Sequence, residues 1–224
     1  MPDQPLDLTV HSLPRPADMA SADARRVVSG RWKMLAVMVA CVAPVLASYF
    51  TYYVVRPEGR RNFGELVEPQ RPMPSITGMT PQGQSVPLPT LRGQWLLVTV
   101  AGGACDSACE NNLYLQRQLR EALGKDKDRV DRVWLVNDAA PLRDAVLQAM
   151  AQATVLRVDP QQLAAWLAPA AGAQLADHLY VVDPMGNWMM RFPANLDRES
   201  ASRARRDLER LLRASASWDP AGRQ

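Results

Sequence analysis

A pair of cysteines in a glycine-rich turn is the feature that most limits the possible folds of this chain. The pair, Cys105 and Cys109, follows the strongly apolar run Trp95–Val100. A segment with a helical pattern comes next and ends at Gly124. This order predicts two sulfur atoms at the start of a helix, where unpaired backbone N–H groups and the helix dipole favour a thiolate.

The residues around the second cysteine predict where the helix begins. Ser107 and Glu110 fit a capping box, with Ser107 as the N-cap and Glu110 three residues later. Cys109 then lies in the first helical turn, and Cys105 lies just before that turn. Asp106 and Glu110 place negative charge beside the sulfurs and oppose thiolate formation, so the acidity of the two thiols does not follow from their position alone.

The Cys-x-x-x-Cys spacing leaves two chemical uses open. Residues four apart on a helix have Cβ atoms roughly 5–6 Å apart, whereas a disulfide requires about 3.5–4.5 Å. A bridge between Cys105 and Cys109 therefore requires an unwound first turn, and we expect it to be easier to reduce than a structural disulfide. Two thiolates on one face can instead bind one soft metal ion. Simple packing of buried cysteines is disfavoured by the glycine turn and the capping box at the pair.

Composition narrows the class of protein. The chain has 224 residues, of which 47% are apolar, enough for one globular domain with additional segments. A net charge of +3 and the lack of basic clusters interleaved with aromatic residues argue against binding to nucleic acid. Three cysteines are too few for a disulfide framework. The chain has two histidines, and His178 is the candidate imidazole ligand, because the membrane anchor expected over residues 31–56 separates His11 from the cysteine pair.

An uncharged run over Met34–Val55 predicts a single transmembrane helix. Roughly 20 such residues cross a bilayer, and the run is too long for the core of a signal peptide and lacks a convincing cleavage site. We expect an uncleaved anchor over residues 31–56, preceded by a disordered cytoplasmic tail over residues 1–30. Because the basic residues slightly favour a cytoplasmic N-terminus, the expected location is the inner (cytoplasmic) membrane, with the main domain in the periplasm or an equivalent extracytoplasmic space.

The rest of the chain alternates between strand and helix patterns. We expect a linker over residues 57–74, a domain over 75–214 and a disordered tail over 215–224. Alternating strands and helices imply a central sheet covered by helices on both faces. A cysteine pair after the first long strand, followed later by a closing hairpin and a helix, is the thioredoxin arrangement. The predicted fold class is therefore α/β, with a thioredoxin-like central sheet flanked by helices and one N-terminal transmembrane helix.

The histidine in the second half of the chain completes a recognisable pattern. His178 follows Asp177 and stands just before an apolar strand that ends in Asp183-Pro-Met-Gly186. In a thioredoxin-like fold the loop that enters this strand lies beside the cysteine helix, so we expect His178 to lie near both thiols. With the anchor and the cysteine pair, this pattern resembles the Sco family, whose members are thioredoxin-like, copper-binding assembly factors for the Cu-A centre of cytochrome c oxidase. The resemblance extends over residues 69–212. Each family cysteine is usually followed by proline, whereas acidic residues follow both cysteines here.

The resemblance implies a metal site and a partner. The copper ligands of the family fall on Cys105, Cys109 and His178, so the resemblance implies one bound copper ion, as Cu(I) or Cu(II), on a pair that is also redox-active. Two thiolates suit Cu(I), and an imidazole suits Cu(II). Asp177 is the candidate partner for the other ring nitrogen. The implied partner is the cytochrome c oxidase subunit that carries the Cu-A site, and the expected function is assistance in Cu-A metallation.

Two other functions remain open. The first is an extracytoplasmic thiol–disulfide oxidoreductase that acts on the cysteines of another protein without bound copper. Dithiol exchange does not require a histidine, so the presence of His178 favours the copper function over this one. The second is a non-catalytic assembly subunit that uses the fold as a docking surface. It predicts that Cys105, Cys109 and His178 can all be replaced without loss.

Overall fold

The computed structural model describes residues 16–55 and 62–219. The chain divides into two compact units, Met1–Gly59 and Arg60–Gln224.

The described residues of the first unit form one long helix, α1, over Pro16–Phe50, which continues as a π-helical turn over Thr51–Val55. Its segment Gly30–Val54, with a mean hydropathy of 2.0, is long and apolar enough to cross a membrane. This finding agrees with the anchor predicted over residues 31–56, although residue 56 lies outside the described part. The structure differs from the disordered tail predicted over residues 1–30, because α1 already begins at Pro16. Residues 1–15 lie outside the described part.

The described part of the second unit is built on a sheet of eight strands. The strands are β1 (Glu65–Pro72), β2 (Thr77–Met79), β3 (Ser85–Pro87), β4 (Trp95–Ala101), β5 (Val130–Val136), β6 (Thr154–Arg157), β7 (Leu179–Val182) and β8 (Asn187–Arg191). Their order in the sheet is β1-β8-β7-β4-β5-β6-β2-β3. Strand β4 pairs in parallel with β5, and β5 with β6, while the other pairings are antiparallel. The cysteine pair follows β4 and therefore a strand in the interior of the sheet.

Helices cover both faces of this sheet. They are α2 (Ser107–Glu121), α3 (Asp144–Ala149), α4 (Pro160–Trp166) and α5 (Arg198–Ser215), with 3-10 turns at Leu88–Leu91, Gly124–Arg129 and Leu175–Asp177. Leu97, on one face of β4, packs with α2 and α5, while the alternate residues Leu96 and Val98 pack against α4 on the other face. Every residue of β4 is buried, as expected for a strand with helices on both sides. The structure thus confirms the α/β class with a central sheet flanked by helices.

The segment expected to be a linker contains a strand. Strand β1 lies within residues 57–74 and pairs antiparallel with β8 at the edge of the sheet. Its proline and charged residues are typical of a linker, but an edge strand tolerates both because one of its sides faces away from the ladder. Residues 57–61 of the predicted linker lie outside the described part.

The beginning of the predicted C-terminal tail is packed against the domain. The carboxylate of Asp219 is buried and accepts hydrogen bonds from Trp95 Nε1 at 2.7 Å and Arg129 Nη2 at 2.8 Å. Ser215 is buried beside it and accepts a hydrogen bond from Arg129 at 2.8 Å. The chain after α5 therefore continues the domain as far as residue 219, and residues 220–224 lie outside the described part.

Candidate functional site

The two cysteines predicted as a redox pair form a disulfide. Their Cα atoms are 5.1 Å apart. Because α2 begins at Ser107, Cys105 lies outside the helix, and its φ of 42° is in the left-handed region that non-glycine residues rarely adopt. The bridge can form because Cys105 lies outside the helical turn. The four-residue spacing made this position a condition for a bridge.

The N-terminus of α2 is capped by a different residue from the one expected. Asp106 is the N-cap, and its Oδ1 accepts a hydrogen bond from the backbone N–H of Cys109 at 2.9 Å. The prediction of Ser107 as the N-cap is wrong, because Ser107 is already helical. A carboxylate satisfies an N-terminal N–H group and also interacts favourably with the helix dipole. Glu110 forms no capping box here and instead pairs with Arg143.

A loop over residues 137–143 packs tightly against the cysteine turn. The N–H of Gly103 donates to Asp138 Oδ1 at 2.8 Å, and Arg143 Nη1 donates to the carbonyl of Cys105 at 2.9 Å. A Cβ atom on Gly103 would lie 2.3 Å from the carbonyl oxygen of Ala140, so only glycine permits this approach. The glycine-rich turn noted in the sequence therefore serves loop packing. No sequence pattern had marked Arg143.

The disulfide is shielded from solvent. Cys105 is 2% exposed and Cys109 is 4% exposed. An apolar environment disfavours a thiolate after reduction, and we expect a partner thiol to reach the sulfurs only when neighbouring groups move. The residues that pack with the two cysteines are Ala101, Leu113, Trp134, Val136, Val146, Met150 and Val155.

His178, the predicted third ligand, is buried with both ring nitrogens occupied. Nδ1 lies 2.9 Å from the carbonyl oxygen of Phe192, and Nε2 accepts the N–H of Ala170 at 3.2 Å. These two partners assign a neutral imidazole that is protonated on Nδ1. Burial lowers the pKa of His178, and the hydrogen bond to the Phe192 carbonyl opposes that shift in part.

The loop before His178 does lie beside the cysteine helix, as the fold led us to expect. Asn112 Nδ2, on α2, donates to the carbonyl of Ala176 at 2.9 Å. The side chain of Asp177, however, accepts the N–H of Gln174 at 2.7 Å and closes a capping box on the 3-10 turn. The partner of His178 Nδ1 is therefore the carbonyl oxygen of Phe192 and not the expected carboxylate of Asp177.

This arrangement does not fit the copper site implied by the sequence pattern. A histidine ligand needs one free ring nitrogen, while its other nitrogen is held by a nearby acceptor. In His178 the nitrogen left for a metal, Nε2, already accepts the N–H of Ala170. In the part of the chain that the structure describes, no three side chains of His, Cys, Asp or Glu are grouped so that they could hold a metal ion. Cys105, Cys109 and His178 are therefore not assembled into one site.

Several solved structures share the general fold at low sequence identity. A DsbF homologue from Corynebacterium diphtheriae is 18% identical over 70% of this chain and 95% of its own, with a TM-score of 0.49. Copper-bound ScoI from Bradyrhizobium japonicum is 21% identical over 60% and 96%, with a TM-score of 0.42. Apo Sco1 from Thermus thermophilus is 19% identical over 68% and 96%, with a TM-score of 0.48. These likenesses do not distinguish copper binding from thiol–disulfide chemistry.

A sequence comparison with protein families gives a more direct result. Residues 95–215 match the family described as "Transmembrane-like, thioredoxin-like, C-terminal domain". No curated protein sequence matches the chain. The matched region extends from β4 to the end of α5 and includes the cysteine pair. This chain therefore belongs to the transmembrane-like, thioredoxin-like family.

Proposed function

We propose that this chain is a membrane-anchored thiol–disulfide exchange protein whose Cys105–Cys109 pair alternates between a disulfide and a dithiol on the extracytoplasmic side. The observation that carries the proposal is the bridge itself, which joins two cysteines at the N-terminus of α2 after an interior strand. Thiol–disulfide exchange does not require a free imidazole. This agrees with the structure, in which both ring nitrogens of His178 are bonded to backbone groups.

The proposed exchange moves two electrons between this chain and a partner protein. A thiolate of the reduced pair attacks a partner disulfide, the partner's S–S bond breaks, and a mixed disulfide forms. The second cysteine of this chain then attacks the mixed disulfide. The Cys105–Cys109 bond forms, and the partner leaves as a dithiol after its two sulfurs have taken up two protons. The reverse sequence oxidises a partner dithiol.

The electrostatics around the two cysteines favour Cys105 as the attacking thiolate. Cys105 lies ahead of the helix, and Arg143 donates to its carbonyl oxygen at 2.9 Å, so a guanidinium charge lies nearby. The N–H of Cys109 is bonded to the carboxylate of Asp106, whose negative charge disfavours a thiolate at that position. We therefore assign attack to Cys105 and resolution of the mixed disulfide to Cys109.

Trapping of the mixed disulfide tests this proposal. Full-length Cys109→Ser, expressed in cells and analysed without reductant, should accumulate covalent adducts with partner proteins, because the resolving sulfur is absent. Cys105→Ser should accumulate far fewer adducts, and the double variant should give none. Equal trapping by the two single variants would overturn the assignment of roles. A lack of adducts from both would contradict the exchange function.

Copper delivery to the Cu-A-bearing subunit of cytochrome c oxidase is the second candidate function. It is supported by the sequence resemblance to the Sco family and by the adjacent sulfurs of Cys105 and Cys109, a donor pair that suits Cu(I) once reduced. The hydrogen bonds of His178 oppose a three-ligand site, so we assign no copper step to the imidazole.

Metal analysis of the reduced full-length chain after loading with Cu(I) tests the copper candidate. One copper per chain, lost in the Cys105→Ser and Cys109→Ser variants, would support it. The same uptake in His178→Ala would show that the histidine is not needed for Cu(I). Failure of the reduced wild-type chain to retain copper would remove this candidate and leave the exchange function unaffected.

A further inference from the structure

A cavity of about 310 Å³ lies between α2 and α3, next to the cysteine pair. Its volume falls at the lower end of the range of small-molecule sites, about 300–1,000 Å³. Glu110, one of its lining residues, directly follows Cys109 in α2. Neither Cys105 nor Cys109 lines the cavity, so binding of a ligand there is a function separate from the exchange proposed above.

One wall of the cavity is apolar. This wall is formed by Leu113 and Tyr114 of α2, by Val146 of α3, and by Met150, the residue directly after α3. Leu113, Val146 and Met150 are buried, whereas Tyr114 is largely exposed and lies where a ligand could cover its ring. This wall suits the apolar body of a small molecule.

A positive charge lies opposite this apolar surface in character: Arg132, a buried arginine on β5, lines the same cavity. The residue is 4% exposed, and its Nε has no hydrogen-bond acceptor among the described residues. Its Nη1 contacts the sulfur of Met150 at 4.0 Å, which is at best a weak acceptor. A buried guanidinium that stays charged is costly unless an anion or several acceptors satisfy its N–H groups.

The other charged groups of the cavity leave it electropositive. Arg117 and Arg143 line it together with Arg132, and Glu110 already pairs with Arg143. The pKa of Arg132 is lowered, first by burial and then by the positive charges of Arg120 and Arg117, while the carboxylate of Glu121 opposes this shift. An anion bound between Arg117 and Arg132 would relieve both effects.

We propose that this cavity binds a small amphipathic carboxylate, with its apolar body against Leu113, Tyr114 and Met150 and its carboxylate on Arg132 and Arg117. A planar carboxylate matches the paired N–H groups of a guanidinium. An apolar wall beside two arginines is unsuited to a bare inorganic anion, which would leave the wall uncovered.

Calorimetric titration of the full-length chain in a nonionic detergent, with 4-phenylbutyrate as the probe, tests the proposal. We expect saturable binding of one molecule per chain. The uncharged 4-phenylbutyramide should bind at least about tenfold more weakly, because it loses the charge-assisted hydrogen bonds. Equal affinity for acid and amide, or equally strong competition by inorganic phosphate, would overturn the assignment of an amphipathic carboxylate.

Two variants and a control locate the binding to this cavity. Arg132→Gln should weaken binding of 4-phenylbutyrate at least about tenfold, since it removes the buried charge. Ala149→Phe fills the cavity from an exposed position on α3 and should abolish binding without disturbing the core. Arg205→Gln removes an exposed arginine of α5, which pairs with Glu209, and should leave binding unchanged. Undiminished binding by Ala149→Phe would overturn the site.

Discussion

Arg143 Nη1 donates to the carbonyl oxygen of Cys105 at 2.9 Å and also contacts the carboxylate of Glu110. This one side chain joins the loop over residues 137–143 to the cysteine turn and to the first turn of α2. On the other side of that loop, Arg157 donates to the carbonyl of Ala140 at 2.8 Å. Arg143 and Arg157 therefore hold the loop in place beside the buried disulfide, and neither residue is part of the bridge itself.

Replacing Arg143 should make the disulfide easier to reach. Arg143→Ala removes the hydrogen bond from the loop to the carbonyl of Cys105, which contributes about 0.5–1.5 kcal/mol, and the exposed ion pair with Glu110 of α2, which contributes at most about 1 kcal/mol. We expect reduction of the Cys105–Cys109 bridge by excess dithiothreitol to be several-fold faster, as measured by timed alkylation of the released thiols. Arg205→Ala, on the exposed side of α5, is the control. An unchanged rate in Arg143→Ala would show that the loop does not limit access.

The buried imidazole of His178 should make the stability of the domain depend on pH. Burial lowers its pKa in the folded state, so the unfolded chain binds the proton more readily. The resulting stabilisation is complete above the ordinary histidine pKa of about 6.5 and is lost as the pH falls below that value toward the folded pKa. Urea unfolding of the wild type should therefore require less urea at about pH 5.5 than at about pH 7.5.

The control for this pH effect is His178→Gln, which cannot titrate in that range. The variant should be less stable than the wild type near neutral pH and should lose less stability on acidification. If its urea midpoint falls with pH as steeply as that of the wild type, another group is responsible for the acid sensitivity.

The buried ion pair between Arg129 and Asp219 should contribute strongly to stability. Asp219→Ala leaves the guanidinium of Arg129 without its carboxylate at 2.8 Å and removes the acceptor of Trp95 Nε1 at 2.7 Å. Loss of one partner of a buried pair costs about 3–5 kcal/mol. The exposed pair of Asp128 with Arg120 is the matched control, and Asp128→Ala should cost at most about 1 kcal/mol. Similar urea midpoints for the two variants would contradict a structural role for residue 219.

The orientation of the anchor can be tested with a reporter fused after Gln224. An alkaline phosphatase fusion should be active, because the positive-inside rule slightly favours a cytoplasmic N-terminus and hence an extracytoplasmic main domain. A reporter that requires the cytoplasm, fused at the same position, should be inactive. The opposite pattern would invert the topology and would place the cysteine pair in a reducing compartment, where a disulfide rarely persists.

The strongly patterned elements of the fold could be predicted from the sequence. The apolar run Trp95–Val100 is a local signal, and the strand β4 was found at Trp95–Ala101, one residue longer than that run. Strand β1 was missed because its proline and charged residues carry no strand pattern. Its conformation comes from pairing with β8, more than 100 residues away in the chain, and this partner cannot be recognised from local sequence.

The site was predictable only where local geometry decided it. The four-residue spacing required Cys105 to lie outside a regular helical turn, and it does. The capping box predicted Ser107 as the N-cap, whereas Asp106, one residue earlier, caps α2, because its carboxylate accepts the N–H of Cys109. The sequence placed the loop of His178 beside α2, but the direction of the imidazole depends on backbone groups of other segments. Arg132, a charge within a buried strand, was a signal that could have located the cavity.

The redox equilibrium of the Cys105–Cys109 pair decides whether this chain can act as a thiol–disulfide exchange protein. The full-length chain would be equilibrated in a series of glutathione redox buffers, and the free thiols counted by alkylation with a mass label. An exchange protein should convert fully between dithiol and disulfide within this series, with a potential above about −300 mV, the value below which inert structural disulfides typically lie. A bridge that stays oxidised after prolonged equilibration in the most reducing glutathione buffer would contradict the proposed function.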